Sequence, residues 1–198
     1  MSASDLGATL DPAGAAAAAA RFVATAQPDV AYAVLATPVG TLVAAATPQG
    51  LVRLAYEDDN GGVDAILDRL AQRVSPRILE APARLNQVRR ELEEYFAGAR
   101  TAFDVEVDWT LTSRFGREVL RACAAIPFGS TATYAQLAAQ AGSPNGSRAT
   151  GNALGANPVP IVIPCHRVLR TGGGLGGYTG GLHRKEALLA VEGRGGAG

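Results

Sequence analysis

The chain is poor in the residues that build metal sites and disulfide frameworks, holding 2 cysteines and 2 histidines in 198 residues. None of the four precedes Cys123 and they show no ligand spacing, so no metal site is expected. Nothing suggests a disulfide framework, and a thiol left free for use points to the reducing cytoplasm. Long apolar runs are missing as well. No stretch approaches the roughly 18 residues of a membrane span, so no membrane association is expected. The first 20 residues are rich in alanine but carry Asp5, Asp11 and Pro12 and no basic leader, which argues against a secretory signal. Residues 1–28 read as a flexible tail. Net charge is absent too, with 18 Lys and Arg against 18 Asp and Glu, which at first argues against nucleic acid.

That even total hides an asymmetry. Residues 1–109 hold 9 Arg and 15 acidic side chains, whereas residues 110–198 hold 9 Arg or Lys and 3 Glu. The second half therefore carries the electrostatic footprint of a phosphate binder, mostly through arginine. With 47% hydrophobic residues the chain can bury a sizeable core, as one domain or two small ones.

Strand-like runs at residues 31–36, 41–46 and 51–56 are separated by Pro-containing turns ending in Gly40 and Gly50, which predicts an antiparallel meander. Helical periodicity follows over 63–74 and 83–96, then a candidate strand over 103–107. A boundary near Asp108 would divide an acidic N-terminal unit, 29–108, from a C-terminal unit, 109–198. The first unit shows no recognisable chemistry. In the second, Thr112 or Ser113 would cap a helix running to Ala125 with Cys123 on its apolar stripe. Thr133 would cap a helix from Tyr134 to Gln140, followed by a Gly-containing turn and a helix over 146–156, the outline of a helix-turn-helix.

The chemistry concentrates in Asn157-Pro158-Val159-Pro160-Ile161-Val162-Ile163-Pro164-Cys165-His166-Arg167-Val168, which sets a thiol beside an imidazole. A free thiol has a pKa of about 8.5, so roughly 3% is thiolate at neutral pH, and a nucleophilic cysteine needs activation. Ile161 to Ile163 reads as a short buried strand stopped by Pro164, holding the thiol on a rigid element. A bare Cys-His pair by itself favours a plainer reading, a core cysteine with an incidental surface histidine, and it is the motifs around it that shift the balance. Downstream, residues 172–181 hold 7 glycines around Tyr178 and Thr179, a stretch that lets backbone approach a ligand closely. A last helix over 182–191 ends at Glu192-Gly193.

These motifs, with Ile126-Pro127-Phe128-Gly129-Ser130-Thr131-Ala132-Thr133-Tyr134, Ser147-Arg148-Ala149-Thr150-Gly151 and the closing Leu-Leu-Ala-Val-Glu-Gly, resemble those of the O6-alkylguanine-DNA alkyltransferases. That family is also called the methylated-DNA-protein-cysteine methyltransferases. The resemblance is dense from about residue 110 to 193 and loose from about 30 to 108. It implies an α+β two-domain fold, with a ribonuclease-H-like antiparallel sheet and helices first and a mainly helical domain with a helix-turn-helix second. It further implies direct transfer of an alkyl group from O6-alkylguanine, flipped out of duplex DNA, to Cys165, with no cofactor. A monomer is implied; clustering on DNA and activity on O4-alkylthymine stay open.

By the same resemblance Cys165, His166 and Glu192 form a relay and Asn157 braces the turn. Tyr134, Val168, Tyr178 and Thr179 hold the base. Arg148, with Tyr134, Ser147 and Gly151, contacts DNA, the arginine filling the vacated stack. The product would be an S-alkyl thioether, which is no leaving group, so each molecule acts once. Two rivals remain: a sensor of alkylated bases that does not repair them, whose known examples lack the cysteine, and a cysteine hydrolase, which would leave the basic half unexplained.

Overall fold

A computed structural model describes residues 28–193 and Gly14; the expected tail otherwise lies outside the described residues. Strands β1 (Val30–Thr37), β2 (Gly40–Thr47) and β3 (Gly50–Tyr56) form the expected antiparallel meander. A fourth strand, β4 (Ile78–Glu80), adds in parallel to β1, giving the order β3-β2-β1-β4. It escaped sequence reasoning because three residues are too few to show a period.

Both sheet faces are covered, so β2 reads as a run of apolar residues rather than an alternation. Val43 and Ala45 pack with Ile66 and Leu70 of α1 (Gly62–Arg73), while Leu42 and Ala44 face α2 (Asn86–Phe96) and the C-terminal unit. Residues 103–107 were expected to be a strand; they make only an isolated bridge, Leu51 with Val107. Further along the β3 edge, the Leu54 N–H is already taken by the carbonyl of Pro158 from the C-terminal unit, at 2.8 Å. The linker can therefore pair only at the start of that edge.

The C-terminal unit follows its capping signals closely. Ser113 accepts the Gly116 N–H at 3.0 Å to start α3 (Arg114–Ala124). Thr133 and Gln136 form a reciprocal capping box that opens α4 (Tyr134–Gln140). After a turn comes α5 (Ser147–Gly155), packed against α3 and α4 as in a helix-turn-helix. A two-residue parallel pair, β5 (Ala132–Thr133) with β6 (Val168–Leu169), ties the start of α4 to the segment after the thiol, and α6 (Leu182–Val191) closes the unit. Cys123 is fully buried, as expected. The two units share one continuous apolar core, in which Leu42, Leu92 and Tyr95 join Leu120, Cys123 and Leu188.

Candidate active site

One side chain builds the turn that carries the thiol. Asn157 accepts the Val159 N–H at 3.1 Å through Oδ1, and its Nδ2 lies 2.9 Å from the Ile163 carbonyl and 3.3 Å from Cys165 Sγ. Residues 161–163 were expected to be a strand. They form a buried turn, closed by the Ile163 N–H on the Val159 carbonyl at 3.0 Å. Pro158, Pro160 and Pro164 lack the N–H groups a ladder would need, and an apolar run of three cannot by itself distinguish strand from buried turn. Ile161 adopts φ 75°, a left-handed conformation that a β-branched residue takes only under constraint from its surroundings.

Cys165, His166 and Arg167 make one 3-10 turn after Pro164, and all three are buried. Burial raises the Cys165 thiol to about 11, against the donor from Asn157 and the charge of Lys185, so the resting sulfur is protonated. His166 Nε2 lies 2.9 Å from Glu192 Oε1. Burial holds the imidazole pKa below its ordinary value despite that carboxylate, so it is neutral at pH 7. Burial acts to raise Glu192, but the hydrogen bonds from His166, Arg167 and Tyr95 outweigh it and bring the carboxyl down to about 2. An ionised carboxylate accepts, so Nε2 carries the proton and Nδ1 is the basic nitrogen. Nδ1 is buried and has no hydrogen-bond partner among the described residues.

The sequence did not reveal how heavily Glu192 is held. Arg167 binds it in a fork, Nε to Oε2 at 2.9 Å and an Nη to Oε1 at 2.8 Å, and also reaches the Ile126 carbonyl at 2.5 Å. Tyr95 of α2 donates to Oε1 at 2.8 Å, and the Gly129 N–H points at Oε2 at 3.2 Å. The N-terminal unit, expected to be empty of chemistry, thus reaches the site. Arg167 could have been found, since an arginine beside a buried Cys-His pair wants a carboxylate. Tyr95 read only as part of an apolar stripe.

Above the thiol opens a cavity of about 270 Å³, lined by Tyr134, Gly151, Leu154, Gly155, Cys165, Gly177, Tyr178 and Thr179. Five expected residues therefore meet there: Tyr134, Cys165, Tyr178 and Thr179, together with Gly151. Gly151, expected on the DNA face, lies on the inner side of α5, where a Cβ would sit 3.8 Å from the Tyr134 ring. Val168, expected at the base edge, does not line the cavity. Its N–H is spent on the Cys165 carbonyl and its own carbonyl takes the Lys185 ammonium at 2.5 Å. The chain's single lysine also binds the carbonyls of Leu175 and Gly177, pinning the glycine-rich loop from behind. In that loop only glycine fits at 176, with φ 69° and a would-be Cβ 2.7 Å from the Tyr134 hydroxyl. The Thr179 hydroxyl donates to the Gly155 carbonyl at 3.1 Å, joining the loop to the end of α5. Ser147 and Arg148 lie exposed at the start of α5, apart from the buried network.

The 6-O-methylguanine DNA methyltransferase DNA binding domain matches residues 114–194, and the ribonuclease-like domain of the same family matches 30–109. The chain belongs to the 6-O-methylguanine DNA methyltransferase family. The methylated-DNA–protein-cysteine methyltransferase of Mycolicibacterium paratuberculosis is 42% identical over 148 residues, 75% of this chain and 89% of its own. That of Methanosarcina acetivorans is 35% identical over 162 residues, 82% of this chain and 97% of its own. Among solved structures, Mycobacterium tuberculosis OGT in complex with DNA superposes with a TM-score of 0.71 at 35% identity, covering 82% of this chain and 93% of that one.

Proposed function

We propose that the protein repairs duplex DNA by moving the alkyl group of a flipped-out O6-alkylguanine onto Cys165, once per molecule. The observation that carries this reading is a buried thiol on the wall of a cavity, beside a neutral imidazole whose basic Nδ1 has no partner among the described residues. In the reaction the sulfur–carbon bond forms as the carbon–O6 bond breaks. The thiol proton passes to His166 Nδ1 through a bridging water, the bonding pair of the broken bond goes to the guanine, and the base gains a proton in return. Glu192 holds the imidazole tautomer and stabilises it when charged. Asn157 donates to the developing thiolate. Tyr134 donates to the guanine ring and polarises it as a leaving group.

Because the resting thiol is raised to about 11, thiolate forms only when the proton has somewhere to go, which couples ionisation to substrate. The thioether product has no route back. Reaching the target atom needs extrusion of the nucleotide, at a few kcal/mol. Arg148 at the exposed start of α5 fills the gap left in the stack, since a planar guanidinium stacks on bases and stays charged. Excess protein mixed with methylated duplex, and excess duplex mixed with protein, test this together: methyl transfer should stop at one group per molecule. Turnover beyond one would favour a hydrolytic enzyme, and binding without transfer would favour a damage sensor.

A further inference from the structure

We infer that Tyr56, at the end of β3 in the N-terminal unit, is a positioning residue that sets the width of the alkyl pocket through Tyr178. The inference rests on reading the cavity above Cys165 as the pocket for the alkylated base. Tyr178 is one of its walls, with its ring edge-on to His166 at 6.4 Å. The Tyr178 hydroxyl lies 2.9 Å from the Tyr56 hydroxyl, and the two rings meet edge to face at 6.2 Å.

Tyr56 itself cannot give way. It is 1% exposed, and a Cβ placed on Gly180 of the active-site loop would come within 2.4 Å of its ring. The Arg184 guanidinium also lies over the ring, 4.3 Å from its centroid. Arg184 is in turn tied to the N-terminal unit by the Val39 carbonyl at 2.7 Å, Asp58 at 2.5 Å and Asp59 at 2.9 Å. Burial lifts the Tyr56 hydroxyl to about 12, so the pair stays neutral and hydrogen-bonded across the working pH range. The side of the pocket formed by Tyr178 is therefore fixed by a residue that does not itself line the cavity. Without that bond the Tyr178 ring is free to tilt, which loosens the fit around a methyl group and admits a larger one.

The test is the ratio of second-order transfer rates from O6-benzylguanine and O6-methylguanine, each in the same duplex sequence, for wild type, Tyr56→Phe, Tyr178→Phe and the double variant. A ratio taken on one sample cancels any unfolded fraction, so a merely structural role cannot move it. The benzyl-to-methyl ratio should rise about fivefold in Tyr56→Phe, the size of one net hydrogen bond. The double variant should match either single variant rather than multiply their effects, because both remove the same bond. An unmoved ratio, or multiplied effects, would overturn the role of Tyr56 while leaving alkyl transfer intact. Absence of transfer from both bases in the wild type would overturn the functional reading and this inference with it.

Discussion

The two halves of the chain give the site different things. Residues after 109 supply every group assigned to the chemistry, Cys165, His166, Glu192, Asn157 and Tyr134, from short motifs with prolines and glycines between them. Residues before 109 supply two buried tyrosine hydroxyls: Tyr95 on Glu192, and Tyr56 on Tyr178. The first set reads from sequence because reactive residues sit in unusual local patterns. The second set consists of aromatic residues on an apolar stripe and a strand, where a hydroxyl aimed across a domain boundary looks like any core tyrosine. A domain with no recognisable chemistry of its own can thus hold the far end of a hydrogen bond to the site.

If the division is right, losses should be graded from the C-terminal motifs to the N-terminal supports. Cys165→Ser should abolish transfer while still binding duplex DNA, because a serine hydroxyl is too weakly acidic for this relay to ionise; methyl loss from DNA in that variant, followed by chromatography of the bases, would break the assignment. His166→Gln should slow single-turnover transfer about 10²–10⁴-fold with DNA affinity unchanged, the range typical of a lost proton acceptor. Arg148→Ala should slow transfer from duplex far more than from free O6-benzylguanine, which has no stack to leave. Equal losses on both would mean that Arg148 serves the fold.

Smaller effects should come from the N-terminal side. Tyr95→Phe removes one of several donors to Glu192 and should cost about 1 kcal/mol in a denaturant titration, with transfer slowed only several-fold. A loss equal to that of His166→Gln would erase the contrast between the halves. The pH dependence of stability sharpens it further. Glu192 is held near 2 in the fold against an ordinary value of 4.5, so its contribution is complete above 4.5 and is lost as pH falls from there toward 2. Thermal melts across that window should show the loss in the wild type and a smaller one in Glu192→Gln.

Legibility varied with length and punctuation. The meander, the capped helices α3 and α4 and the last helix all carried Pro, Gly or Ser and Thr signals at their ends, and they stand where expected. The three-residue strand β4 and the turn at 161–163 were not read correctly although prolines flank both, since each is shorter than any period that could identify it. In the site, Cys165, His166, Asn157 and Glu192 come together as the motifs implied. Arg167, lying inside the Cys-His motif, went unassigned, and Val168, expected at the base edge, is absent from the cavity lining, with its N–H on the Cys165 carbonyl and its own carbonyl on Lys185. Both concern which way a group faces, which depends on partners distant in sequence.

The most direct test of the account is the mass of the peptide containing Cys165 after the protein meets a duplex with a single O6-methylguanine. The account predicts a stable gain of one methylene unit on Cys165 and none on the buried Cys123, in proportion to the guanine restored. An unmodified Cys165 alongside restored guanine, or a modification that water removes on standing, would contradict it.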